Sequence, residues 1–235
     1  MKPFDVIIGG KSLYEDFEII VSEFYVSPPK PVLKILDIPG TSDGIDISEA
    51  ISGDVEYSYR DIEMETATNC GKDRAYSQYS KLANFLHGRK MDIIHAKDLG
   101  FFWNGRVNLD SFEKTFYGGT PRISASVNAY KRESQSSLEP WLWDSFSFLD
   151  GIIRDYFNIM VNPTATLVII GRRKRVCPTF QCTAPMTVTY LGNTYNLSMG
   201  LNQVADIFLG EGNHILTFVA NPDGMVAVDY RGASL

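Results

Sequence analysis

The chain uses cysteine, histidine and tryptophan only three times each in 235 residues, and that scarcity removes whole classes of chemistry. Cys70, Cys177 and Cys182 are odd in number, the last two are not spaced as a CxxC pair, and no histidine lies near them in sequence, so a zinc comb is excluded. They read as free thiols of a protein assembled in a reducing cytosol, with a Cys177–Cys182 disulfide as the alternative. His87, His95 and His214 are far apart, and none has a serine or cysteine partner in a nucleophile elbow. Structural roles are expected: His87 at a helix end, His95 closing a strand, His214 opening one. Long apolar runs are also missing. Nothing approaches the roughly 18 apolar residues of a membrane span, and Met1-Lys2-Pro3-Phe4-Asp5-Val6 lacks the apolar core of a signal peptide. The expectation is a chain made in the cytoplasm, soluble until assembled, with no membrane insertion. Positive charge is short as well: 22 Lys and Arg stand against 28 Asp and Glu, a net charge of −6 spread along the chain. That argues against duplex DNA as a tightly held partner. The signatures of acyl transfer, phosphoryl transfer and metal hydrolysis all fail, so no catalytic, cofactor-binding or metal residue is assigned and the chain is read as no enzyme.

What is abundant is turn chemistry between alternating strands. Hydrophobic residues make up 44% of the chain, enough for real cores. Ile38-Pro39-Gly40-Thr41-Ser42-Asp43-Gly44-Ile45 reads as a double turn in which a strand ends at Ile38, reverses and restarts at Ile45. Asp43 and Asp46 lack the oxygen-ligand spacing of a calcium loop, and the turn accounts for them. Strands are predicted at 32–38, 55–66, 91–95, 101–109 and 122–129. The apolar phase switches between Tyr59 and Ile62, which predicts a bulge near Arg60. Asn104-Gly105, after Phe101-Phe102-Trp103, reads as a tight turn. One helix is predicted over 73–87, with Ala75, Tyr79, Leu82, Ala83 and Leu86 on one stripe and Gly88 as its cap.

Lys131-Arg132-Glu133-Ser134-Gln135-Ser136-Ser137 is a polar break, placed as the boundary between domains 1–133 and 138–235. Beyond it, Trp141, Trp143, Phe146 and Phe148 alternate as one face of a strand. Strand 164–170 follows, then a hairpin of 187–191 with 194–197 across Gly192-Asn193, then 214–219 and 225–230 around Asn221-Pro222-Asp223-Gly224. Short, evenly spaced strands without a helix signal predict a β-sandwich or jelly roll.

Two features offer contacts. Arg172-Arg173-Lys174-Arg175 is the one basic run, read as a solvated loop or, alternatively, as a contact for an acidic partner subunit. Trp141 and Trp143, with Phe101, Phe102 and Trp103, are able to stack sugar rings, although strand aromatics more often fill cores or interfaces. Glu63 and Glu65 share one strand face; without a flanking cleft they read as a solvated sheet face rather than a glycosidase pair. Asn196-Leu197-Ser198 matches a glycosylation sequon without consequence in a cytosolic product.

In order and spacing, Ile38-Pro39-Gly40 with Asp43-Gly44, Tyr59 to Met64, the helix closed by Leu86-His87-Gly88-Arg89-Lys90, the aromatic run into Gly105-Arg106-Val107, and the ending Gly210 to Asn213 with Tyr230-Arg231-Gly232 resemble the distal tail protein (Dit) family of long-tailed siphophages. The chain departs from that pattern at Asn128-Ala129-Tyr130-Lys131, where a Pro-Tyr-Lys ending is common. The resemblance implies a mainly β protein of two domains: an N-terminal β-sandwich, ring-forming and carrying one helix, and a C-terminal galectin-like, jelly-roll β-sandwich. It implies a virion protein at the tail tip: a homo-hexamer joining the tail-tube protein to the tail-associated, tail-spike-like protein, with a receptor-binding protein or a host-wall glycan held by the second domain. DNA would pass through the ring without specific binding, and an acidic lumen would keep that passage slippery. The alternative is a carbohydrate-binding module acting through the C-terminal sandwich.

Overall fold

Period-two alternation dominates the chain, and it folds almost entirely as antiparallel strands. A computed structural model describes residues 5–40, 43–50, 53–68, 70–139 and 151–235. The chain divides between Lys131 and Arg132, with Leu235 grouped with the first unit and Ser234 ending the second.

In the first unit, β1 (Val6–Ile8) and β2 (Lys11–Ser12) lead into the short helix α1 (Leu13–Phe17) and strand β3 (Ile19–Val26). The small ribbon of β4 (Ile35–Leu36) and β5 (Ile45–Asp46) follows, then β6 (Arg60–Thr68), helix α2 (Ala75–Leu86), β7 (Arg89–His95), β8 (Phe101–Lys114) and β9 (Gly119–Val127). The main sheet runs β2-β1-β7-β8-β9-β6-β3, and β4-β5 stands as a sheet of its own. Alternation along β6 and β9 sends Ile62, Met64, Ile123, Ala125 and Val127 inward, where Leu13, Phe17, Leu82 and Leu86 from the two helices cover them.

Several local expectations change. Asn104-Gly105 is no turn: β8 runs straight through it, pairing Gly105 with Val127. A Cβ at Gly105 would strike the Ser126 carbonyl oxygen and the backbone of Val127, so glycine is there for close strand approach. The phase switch at Tyr59 is a strand beginning rather than a bulge: β6 starts at Arg60, and Tyr57 makes only an isolated bridge to Pro31. The register shift lies on its partner β3, between Val21 and Glu23. Helix α1 escaped the sequence reading although Ser12-Leu13-Tyr14-Glu15 carries the capping-box spacing; the Ser12 hydroxyl accepts from the Glu15 amide, and the Ser12 amide donates to Asp16.

The second unit starts within β10 (Lys131–Glu133) and continues with β11 (Ile159–Val161), β12 (Thr164–Gly171), β13 (Thr179–Cys182), β14 (Met186–Tyr190), β15 (Asn193–Leu197), β16 (Gly200–Gln203), β17 (Gly212–Ala220), β18 (Gly224–Asp229) and β19 (Ala233–Ser234). Two four-stranded sheets, β11-β18-β13-β16 and β12-β17-β14-β15, face one core. Across it, Phe180 of β13 meets Phe218 of β17 edge to face, ring centroids 5.9 Å apart. The β14–β15 hairpin forms one residue earlier than predicted: Tyr190 pairs with Asn193, and the turn is Leu191-Gly192, both at positive φ. The fold is mainly β, with sandwich packing and more than one sheet in each unit.

Candidate functional site

The basic run follows β12, and its four side chains do different things. Arg172 turns inward: its Nε lies 2.8 Å from Glu133 Oε1, while Arg154 Nη1 lies 2.5 Å from Oε2 of the same carboxylate. The side chains of Glu133, Arg154 and Arg172 are only 9%, 6% and 15% exposed. Glu133 also accepts the Gly232 amide at 2.9 Å, the Glu133 amide donates to the Gly232 carbonyl, and the Arg172 amide donates to the Tyr230 hydroxyl. One carboxylate thus gathers two guanidiniums and the Gly232 amide. Lys174 is half-buried; burial, then the nearby Arg132 charge, lowers its pKa. Arg175 is exposed and lies over the Phe208 ring at 5.3 Å, and Arg173 is exposed. The outward-facing part of the run is therefore Arg173 and Arg175. Trp141 and Trp143 lie outside the described residues.

In the first unit, the sheet face opposite the core is polar and open. Asp61, Glu63 and Glu65 of β6, Asn108 and Asp110 of β8, and Arg122, Ser124 and Ser126 of β9 line it, with depressions of about 370 and 440 Å³. Five carboxylates, Asp61, Glu63, Glu65, Asp110 and Glu113, line these depressions with Arg122, which pairs with Glu65 at 2.6 Å, and exposed Arg106, opposite Ser126 of β9, and exposed Lys90, opposite Arg106 on β7, share the face. Ser124 donates to Asp110 at 2.9 Å. Carboxylates outnumber the cations there, so the net charge of the face is negative. The pair Glu63 and Glu65 is part of this face and flanks no enclosed cleft.

Histidines stay apart. The His87 Nδ1 accepts the Leu109 amide, His95 packs against Phe24 with tilted rings and its pKa lowered by burial and by Lys97, and His214 sits between the Tyr190 hydroxyl and the Gly210 carbonyl. Cys182 is buried and its thiol pushed up to about 11. Among the described residues no three His, Cys, Asp or Glu side chains converge to hold a metal, and no helix is long and apolar enough to cross a membrane.

Fold and surfaces together define a mainly β chain of two units that carries, among the described residues, a carboxylate-rich sheet face in the first and a partly exposed basic run in the second. No protein-family model and no curated protein matches the sequence. Among solved structures, the chain is similar to SPP1 Dit (gp 19.1), a paradigm of the hub adsorption apparatus in Gram-positive-infecting phages, with a TM-score of 0.61 and 13% identity over 98% of this chain and 99% of that one. The likeness is one of fold, and it spans both units.

Proposed function

We propose that the chain is a structural virion protein of a long-tailed phage or prophage, the hub at the distal end of the tail. The observation that carries this is the end-to-end match of fold with a phage hub protein. Six copies close into a ring through domain 1–133, joining the tail-tube protein on one side to the tail-associated protein on the other. Ring closure needs two unlike surfaces on each copy, which a heterologous contact supplies. The carboxylate face of β6, β8 and β9 suits the wall of a passage for DNA, since a polyanion slides past like charge without adhering. Domain 138–235, a galectin-like sandwich, offers the attachment surface for a receptor-binding protein or a host-wall glycan, with exposed Arg173 and Arg175 turned to an acidic partner. Gold-labelled antibodies against the protein, applied to virions, test the assignment. Label confined to the tail end is the expected result; label on heads or along the tube, or none on intact virions, sinks it.

A further inference from the structure

The outward face of the β12-β17-β14-β15 sheet holds no ionisable side chain. Alternation points Ile169, Leu216, Phe218, Val188 and Leu197 into the core of the second unit, so their chain neighbours point out. Register sets those neighbours in ranks. One rank crosses all four strands as Thr166-Thr217-Thr189-Thr194, and the next as Thr164-Val219-Thr187-Asn196. Val168 opposite Ile215 and Ile170 opposite Asn213 extend the face along β12 and β17. Ten of these twelve residues are β-branched, and Val168, Ile170, Ile215 and Val219 are each more than two-fifths exposed. In a chain that is 21% charged, twelve outward positions without a charge depart from a surface built only for solvent. β-branched side chains on a pleated face are those of a surface made to be covered.

What covers this face must itself be uncharged. A carboxylate or ammonium laid against these ranks would lose its water and find no counter-charge. The face has no aromatic ring on which a sugar could stack. A second copy of the same face meets the condition. Two copies, each with a net charge of −6, repel one another in most orientations, and here they meet without bringing like charges together. The Thr189 and Thr194 hydroxyls lie 2.9 Å apart and keep each other as partners when water leaves. Size sets the strength. With strands about 4.8 Å apart and alternate residues about 6.8 Å apart, the face covers roughly 400 Å², the size of an interaction patch and about half of what one partner brings to a standard interface. The contact is therefore weak and reversible.

We infer that two copies of the chain pair through this face, sheet against sheet about a two-fold axis. Stacked sheets align to within about 30°, which lets the β-branched side chains of the two faces interdigitate. The contact is isologous, so it consumes the face and stops at a pair. It goes beyond the hub reading and does not depend on it, since free copies and closed rings alike can pair in this way.

Sedimentation velocity over a concentration series tests it, on the full chain as wild type, Thr217→Glu, Thr217→Lys and Val168→Glu. Circular dichroism with thermal melting checks that each variant is folded, and Val168, on the edge strand β12, carries the test if a charge on the inner strand β17 unfolds the chain. At equal concentration the wild-type species has at least twice the mass of each variant, whether that variant is a single copy or a ring. An equal mixture of Thr217→Glu and Thr217→Lys regains the wild-type mass, because unlike charges then face each other. Equal masses for wild type and variants, or a mixture that regains nothing, overturns the pairing. So does a wild type of the variants' mass that is retained on wall polysaccharide, or carried down by another tail protein, while Thr217→Glu is not; the face then belongs to that partner. Gold label on virions decides the hub whichever way this result falls.

Discussion

Glu133 is the residue on which most polar structure in the second unit converges, since two guanidiniums and the Gly232 amide share its carboxylate. Removing one partner of a buried charge set leaves the others desolvated and uncompensated. Glu133→Gln is expected to destabilise the second unit by about 3–5 kcal/mol in urea unfolding, whereas substitution of a solvated carboxylate such as Glu63 stays within about 0.5 kcal/mol. Gly105→Ala belongs to the same scale. Its methyl would meet the Ser126 carbonyl across a paired strand, and a loss of about 3 kcal/mol is expected from the forced separation of β8 and β9, read from the same unfolding curves. Alkaline behaviour follows from Cys182, whose thiol is raised by burial from an ordinary 9.0 to about 11. The fold favours the protonated form, so this stabilisation is complete below the unfolded value and is lost as pH rises from about 9 to about 11. Burial also raises Tyr156, Tyr190 and Tyr230, which act in the same direction above their ordinary 10.0. Melting temperature is therefore expected to hold level near neutrality and fall above about pH 9, and a Cys182→Ala chain should fall less steeply over the first part of that range.

The elements show where strain sits. Leu191 occupies a left-handed position at the tip of β14–β15, 82% exposed, in a turn that Asn-Gly would form without strain. Leu191→Asn is expected to stabilise the chain by roughly 0.5–1 kcal/mol, visible as a rise of a few degrees in melting temperature. That hairpin also marks how far a sequence alone reaches. Glycine announced the turn, yet Leu191 at positive φ shifted it by one residue, because pairing of Met186 with Leu197 and Val188 with Tyr195 sets the register and leaves the tip to adapt. Helix α2 was legible from its apolar stripe, of which Ala75, Leu82 and Leu86 are buried. Asn104-Gly105 misled for a reason no local pattern contains: the glycine answers to Ser126 and Val127, more than twenty residues away. The basic run was visible as charge, but its division into an inward Arg172 and outward Arg173 and Arg175 depends on Glu133, remote in sequence. The β4–β5 ribbon reads in the sequence as a double turn, and the exposure of its Ile35, Leu36 and Ile45 depends on what covers them, which no local pattern contains.

For the whole molecule, charge sets the behaviour in solution. With a net charge of −6 and a pI near 5.1, the protein is expected to leave duplex DNA unretarded in gel shifts at about 0.15 M salt. Retardation there would contradict a passage that DNA crosses without adhering. Solubility is expected to reach its minimum near pH 5, where that charge vanishes. The second unit has a further property that follows from its Glu133 knot. Its first strand, β10, and its last, β19, are hydrogen-bonded neighbours, with the Glu133 amide on the Gly232 carbonyl and the Gly232 amide on the Glu133 carboxylate. A body whose two ends are tied together can be lifted out of one gene and set into another without stretching the chain that receives it. Exchange of the second unit as a cassette would thus leave the strands of the first unit's main sheet untouched.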